Sequence, residues 1–344
     1  MKRNFKILIV MIMGLLASSS CKKLVEVGSP ETELAKSNVF NDEATAKAAI
    51  ISIYIQLSAS RSFANGNLSI EMAAYADDLF SYALPTSTSP IPAFFYNNVV
   101  PANSEVSSIW GSCYSIIYQA NLAIEGLHAS TKLPAASKNQ LLGEAYFMRA
   151  FAHFYLVNLF GDIPLVLSSD YRKNTTIGRT TAGEVYNAIT DDLVDARNLL
   201  SEFYPTEDRV RVNKGAAIAL LSRAYLYAGH YANAETTATD IINMDTQYQL
   251  LTDLSKVFLK TSNEAIWQIL PNGGLDTYTT EGSAFIVTSM PPTNMVLRDE
   301  MVNSFETGDL RKIHWTKSLT SPSGITTWYY PFKYKENVRN YFGT

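Results

Sequence analysis

The 344-residue sequence is 47% apolar and 12% aromatic but only 17% charged, against roughly 25% charged in a typical soluble domain. That apolar content excludes disorder and suffices for a sizeable core. Twenty-eight basic and thirty-two acidic side chains give a formal charge of −4, which argues against a nucleic-acid binder, since such a protein needs a basic excess to neutralise phosphates.

Lys2, Arg3 and Lys6 precede an apolar run from Ile7 to Ala17, and Ser18, Ser19 and Ser20 lead to Cys21. Residues 1–20 therefore read as a secretory signal peptide, too short to span a hydrocarbon core of about 30 Å. A cysteine at the cleavage point reads as a lipidation site, whose several acyl chains would anchor the protein lastingly to a membrane. The alternative is a plain secretory signal that ends at a cysteine by coincidence. With Cys21 acylated, Cys113 has no partner for a disulfide, and within Trp110-x-x-Cys113-Tyr114 it reads as a small buried hydrophobe.

Asn41 or Asp42 can cap a first helix carrying Ala44, Ala48, Ile51 and Ile55. From Ser115 the apolar period is again helical, with Tyr114, Ile117, Tyr118, Asn121, Ile124 and Leu127 on one face. A long helix follows through Leu141, Leu142, Ala145, Met148, Ala152, Tyr155, Leu156 and Leu159, and Gly161 and Pro164 stop it. Val185, Ile189, Leu193, Ala196, Leu199 and Leu200 mark another. Two more run from Asn213 to Ala228 and from Tyr231 to Met244.

The stretch from Gly215 to Thr246 fits the 34-residue tetratricopeptide helix-turn-helix, with Tyr225 at the aromatic position, Gly229 at the turn and Ala234 at the small position. Such a pair cannot bury its apolar face alone, so neighbouring pairs must stack on it. Two regions break the pattern. Arg61 to Trp110 is rich in proline and aromatics, including Phe94-Phe95-Tyr96, and the region after Pro271 contains Gly273-Gly274, Pro291-Pro292 and Trp328-Tyr329-Tyr330. Irregular stretches of this length are usually functional.

Several motifs now line up in one order: Phe40-Asn41-Asp42-Glu43-Ala44 to Ile53-Tyr54; Ile117-x-x-Ala120-Asn121; Arg149-Ala150-Phe151 through Phe160-Gly161-Asp162-Ile163-Pro164. Lys214-x-Ala216 to Arg223-Ala224-Tyr225-Leu226, Glu264-Ala265-Ile266-Trp267, Phe305-Glu306-x-Gly308-Asp309-x-Arg311 and Lys333-Tyr334 follow. This series resembles the SusD/RagB family of outer-membrane nutrient-binding lipoproteins. The resemblance implies a mostly α fold of tetratricopeptide-like helix pairs with long irregular loop insertions and a few short strands. It divides the chain into a signal peptide, 1–20, and a single domain, 21–344. Helix pairs are expected at about 41–60, 112–160 and 184–245, with loop-rich ligand-face regions at about 61–110 and 246–344. The family continues into a further helix pair after Lys333-Tyr334, so that pair is expected to be missing, leaving the face with Leu220, Tyr227 and Ile241 partly uncovered.

The function implied is non-catalytic binding of an oligosaccharide at the outer membrane, by a lipid-anchored, cell-surface-exposed protein that delivers nutrient to a SusC-like TonB-dependent barrel. A peptide ligand, as in the RagB branch, and a periplasmic repeat-type protein adaptor are the alternatives. The two loop-rich regions separate the last of these, since an adaptor has no use for them.

No enzyme, cofactor or metal is expected. His128, His153, His230 and His314 lack the short spacing of a zinc site, and His153 reads as a packed helix residue. Asp77-Asp78 and Asp191-Asp192 are adjacent pairs, whereas a glycosidase needs carboxylates facing across a bond. Asp191-Asp192 reads as a solvated helix face; Asp77 and Asp78 read as partners for sugar hydroxyls or a helix cap. Sugar rings stack their C–H faces on aromatic rings, which makes Tyr75, Tyr82, Phe94, Phe95, Tyr96, Trp315, Trp328, Tyr329 and Tyr330 the candidate ligand contacts, each with core packing as its plainer reading.

Overall fold

A computed structural model describes residues 39–60, 62–82, 91–271, 278–293 and 295–337; the signal segment and Cys21 lie outside them. The scaffold is a row of helices in which each packs on the next: α1 (Glu43–Leu57), α4 (Ser104–Ala129), α5 (Ala135–Phe160), α7 (Ala182–Leu199), α8 (Lys214–Tyr227) and α9 (Tyr231–Ile242). Short polar side chains start these helices by accepting orphan backbone donors. Asp42 caps α1 through Thr45 N at 3.0 Å, Asn103 caps α4 through Glu105 N at 2.8 Å, and Asn213 caps α8 through Ala216 N at 3.0 Å. Thr181 and Glu184 form a reciprocal capping box on α7.

Two expectations shift. The first helix buries Ala46, Ile50, Ile53 and Leu57, while Ala44, Ala48 and Ile55 face solvent. Both sides of α1 are apolar, so spacing alone could not select the inward one. The second shift is at α4, which starts at Ser104 rather than near 112, because its first turn is polar and hides the apolar period. The tetratricopeptide placement agrees with the structure: Gly229 turns the chain at φ +78° and Ala234 is buried between α8 and α9.

Helix α5 lies at the centre and carries two buried ion pairs. Arg149 donates Nε and Nη2 to the Asp192 carboxylate of α7 at 2.8 and 2.6 Å, and Nη1 to Asn121 Oδ1 of α4 at 2.8 Å. Asp192 is therefore not part of a solvated face; the apolar period of α7 gave no sign of the cation opposite. Glu144 accepts from Arg211 and from the Tyr54 hydroxyl of α1. His153 is packed in the same helix with Nε2 unpartnered, and Cys113 is fully buried.

Close helix contact depends on Gly126 in α4, where a Cβ would lie 2.1 Å from the buried Phe40 ring. Gly126→Ala is expected to lower the unfolding free energy by about 1–3 kcal/mol through overpacking, read as a lower urea midpoint at unchanged slope. An unshifted midpoint would refute that close approach.

The two loop-rich regions are less irregular than expected, and they form one substructure. The first contains α2 (Asn67–Tyr75), β1 (Leu79–Ser81) and α3 (Ile91–Phe95), and the later chain contains α10 (Thr280–Phe285), β2 (Met295–Leu297) and α11 (Asp299–Asn303). Strands β1 and β2 pair antiparallel, with Leu79 opposite Leu297 and Ser81 opposite Met295. Ile70, Ala74, Leu79, Phe94, Phe95, Met295, Leu297 and Val302 build a second core beneath them. Helix α12 (Leu310–Trp315) leads into the hairpin β3 (Thr316–Thr320) and β4 (Thr327–Pro331). The short α6 (Tyr171–Asn174) lies in the connection between α5 and α7. On the third helix pair Leu226, Tyr227, Tyr231 and Ile242 are exposed, whereas Leu220 is buried.

Candidate functional site

The alternation of β1 decides which rings face outward. Leu79 and Ser81 point into the second core and Phe80 points out. Phe80 then meets Tyr82 edge to face, with centroids 5.0 Å apart, and also the Phe95 ring at 5.6 Å; Phe95 in turn meets Tyr96 at 4.9 Å. Phe80, Tyr82 and Tyr96 are each 40–50% exposed, which leaves ring faces open to solvent. Trp328 of β4 reaches this ladder from the other end of the sequence, donating Nε1–H to the Tyr82 hydroxyl at 2.8 Å.

A charged pair frames the ladder. Arg298 lies over the Phe95 ring at 5.2 Å and donates Nη2 to Asp77 Oδ1 at 2.9 Å. Its backbone N–H donates to Asp78 O at 3.1 Å. Asp77 adopts φ +63°, a left-handed conformation that aspartate and asparagine tolerate better than most, and it turns the chain from α2 into β1. Aromatic faces beside a fixed guanidinium and carboxylate combine C–H stacking with planar hydrogen bonding.

On the opposite side of β1, a cleft of about 430 Å³ is lined by Leu79, Asp78, Glu281, Phe258, Trp315 and Tyr334, among others. That volume is within the usual range for small-molecule sites. Phe258 packs edge-on to Trp315 at 5.3 Å and to Tyr334 at 5.8 Å. The Trp315 indole N–H is already used, donating to Leu254 O at 2.9 Å.

The candidate residues thus separate by location. Tyr82, Tyr96, Trp328 and Asp77 come together at the ladder. Trp315 and Asp78 lie in the cleft, and Tyr75 is exposed at the end of α2 and does not line that cleft. Phe94, Phe95 and Tyr330 are buried and support the surface from beneath, so direct stacking by these three is corrected to a packing role. Tyr329 is half-buried against the second core, with the Lys312 ammonium over its ring at 5.9 Å. Phe80 and Arg298 were missed by residue-level reading: a three-residue strand is too short to show its alternation, and Arg298 gains meaning only through the β1–β2 pairing. Among the described residues, no group of three or more His, Cys, Asp or Glu side chains is placed to hold a metal ion.

A family model described as starch-binding, associating with outer membrane, matches residues 31–226, more than half of the chain. The chain belongs to the SusD-like family. A SusD-like protein of Formosa agariphila is 31% identical over 70% of this chain and 47% of its own length. A crystal structure of a SusD superfamily protein from Bacteroides vulgatus superposes with a TM-score of 0.74 at 17% identity, covering 86% of this chain and 69% of that one. Surface glycan-binding protein A from Bacteroides fluxus gives 0.64 at 19% identity, over 80% of this chain and 64% of its own. At these identities the structural likeness shows a shared SusD-like fold. The chain spans about half the length of the curated SusD-like relatives it matches. No helix among the described residues is long and apolar enough to cross a membrane.

Proposed function

We propose that this SusD-like chain is a non-catalytic glycan-binding lipoprotein of the outer membrane, anchored through Cys21, exposed at the cell surface, and delivering oligosaccharide to a SusC-like TonB-dependent barrel. The observation that carries the reading is the ladder of solvent-open Phe80, Tyr82 and Tyr96, joined by the half-buried Trp328, beside the Arg298–Asp77 pair. A pyranose offers an apolar C–H face and a rim of hydroxyls, and this surface offers the complement of both. The family description and the names of relatives as carbohydrate- and glycan-binding proteins support the same ligand class.

Isothermal titration against a panel of oligosaccharides and peptides tests this. Phe80→Ala and Trp328→Ala are each expected to weaken oligosaccharide binding by about 1–3 kcal/mol, the loss typical of an aromatic interface anchor. Phe94→Ala should act through stability alone, because that ring is buried. Full affinity in folded Phe80→Ala and Trp328→Ala variants would move the site elsewhere, and binding of peptides without any oligosaccharide would replace the glycan reading with peptide capture.

A further inference from the structure

From Leu310 to Lys335 the chain carries Arg311, Lys312, Lys317, Lys333 and Lys335 and no aspartate or glutamate. This run stands out in a protein whose formal charge is −4. Arg311 is neutralised by Asp309, with Nη2 to Oδ2 at 2.6 Å. The four lysines are different: among the described residues none has a carboxylate within 4.0 Å.

Aromatic rings hold them instead. Lys333 Nζ lies 5.3 Å from the Trp315 centroid and 5.4 Å from that of Phe258. Lys317 and Lys335 share one ring, with their ammonium groups 4.8 and 4.3 Å from the Phe332 centroid. Lys335 is fixed there, since Nζ donates to the carbonyls of His314 at 2.9 Å and Phe332 at 2.5 Å. Burial and the nearby Lys317 charge push the Lys335 amine below its usual range. A ring quadrupole attracts each cation by only a modest amount, and two like charges at one ring repel one another. The arrangement lacks an anion.

Its position links it to the aromatic ladder. In the β3–β4 register Lys317 lies opposite Tyr330, and Trp328 is two residues along the same strand as Tyr330. The two-residue alternation places all three on one side of the hairpin, with Trp328 and Tyr330 roughly 7 Å apart along β4. Tyr330 itself is buried, so Trp328 and the exposed Lys317 flank it, and the span between them is one that a short oligosaccharide can bridge. The hairpin connection around them is hydroxyl-rich, with Ser321, Ser323, Thr326 and Thr327 around the exposed Pro322 and Ile325. That composition suits a polar ligand better than insertion into lipid.

We propose that the ligand of this chain is an anionic glycan, bearing carboxylate or sulfate groups, whose charge is received by Lys317 and Lys335 at the Phe332 ring. This rests on the glycan reading above and names the substrate class within it. The test is calorimetric titration of the protein with neutral, uronate and sulfated oligosaccharides of equal length, at 50 and 500 mM NaCl. At the lower salt, one charged class or both should bind at least tenfold more tightly than the neutral one, and 500 mM salt should remove most of that advantage. Because Lys335 also holds two carbonyls, Lys317→Gln is the decisive variant. It should lose at least fivefold in affinity for the charged ligand while keeping the parent melting temperature, and Lys214→Gln, at the distant start of α8, should lose none.

Which of the uronate and sulfated arms responds identifies the anionic group. Equal or tighter binding of the neutral oligosaccharide overturns this inference and leaves the glycan reading standing. An absence of binding to all three classes overturns the glycan reading itself. Binding to phosphatidylcholine vesicles containing phosphatidylserine, with no charged oligosaccharide bound, reassigns the lysines to a membrane surface and also overturns the proposal.

Discussion

Glu144→Ala is expected to lower the unfolding free energy by about 3–5 kcal/mol, the range for removing one partner of a buried ion pair. Glu144 is fully buried at the centre of α5. Its carboxylate accepts from Arg211 Nη2 at 2.5 Å and Nε at 3.0 Å, from the Tyr54 hydroxyl at 2.7 Å and from Gln140 Nε2 at 3.0 Å. Burial, reinforced by the Glu144 charge, pushes the Tyr54 phenol well above its usual range, so it stays a donor. Alanine would leave a buried guanidinium and a buried hydroxyl without their acceptor, which costs more than the lost attraction. The double variant Glu144→Leu with Arg211→Met removes both charges and should recover much of the loss. Urea denaturation of the three proteins decides the matter; a loss below about 1 kcal/mol in Glu144→Ala would refute the strength assigned to this network.

The second large effect is in the pH profile of stability, where two buried groups act with opposite sign. Glu71 on α2 is buried with Oε2 unpartnered. Burial first, then the Glu105 carboxylate beside it, pushes its acid up to about 8 from an ordinary 4.5. Between those values the folded chain holds a proton that the unfolded chain has released, so stability falls as pH rises. His153 is the reverse case: burial, then the Arg149 charge, lowers it from 6.5 to about 3. Between those values the unfolded chain takes up a proton that the folded chain refuses, so stability falls as pH drops. Each slope is about 1.4 kcal/mol per pH unit. Acting together they give a plateau between roughly pH 4.5 and 6.5, with a decline on either side. Glu71→Gln should remove the alkaline decline of about 2 kcal/mol between pH 6.5 and 8, replace the plateau between pH 4.5 and 6.5 with the uncompensated His153 slope, and leave the slope below pH 4.5 unchanged. A variant whose profile parallels the parent above pH 6.5 would exclude Glu71 as the titrating group.

The long scaffold helices were readable because their apolar residues recur with the period of a helix and their ends carry capping side chains. Leu141 to Leu159 and Val185 to Leu200 mark α5 and α7 in this way, and Gly229 with Ala234 marks the α8–α9 turn. The inward face of α1 was not readable, since Ile51 and Ile55 fit a helical stripe as well as Ile50 and Ile53 do. Asp192 was misread for a related reason: a pattern of apolar residues does not reveal a buried cation on a neighbouring helix.

The candidate surface shows the same division. Tyr82, Tyr96 and Trp328 stood out as aromatics in irregular stretches, but so did Phe94, Phe95 and Tyr330, and composition cannot separate a ring that stacks on a ligand from one that packs beneath it. The acid-free run from Leu310 to Lys335 is visible in the sequence, yet only the fold places Lys317 and Lys335 over one Phe332 ring. Local periodicity and capping were sufficient for the mostly helical fold class, and motif order for the family. Tertiary structure alone joined Leu79–Ser81 to Met295–Leu297 and so created the aromatic surface. That pairing depends on contacts between segments more than 200 residues apart, whereas a repeating pattern reports only on neighbours within a few turns of the same chain.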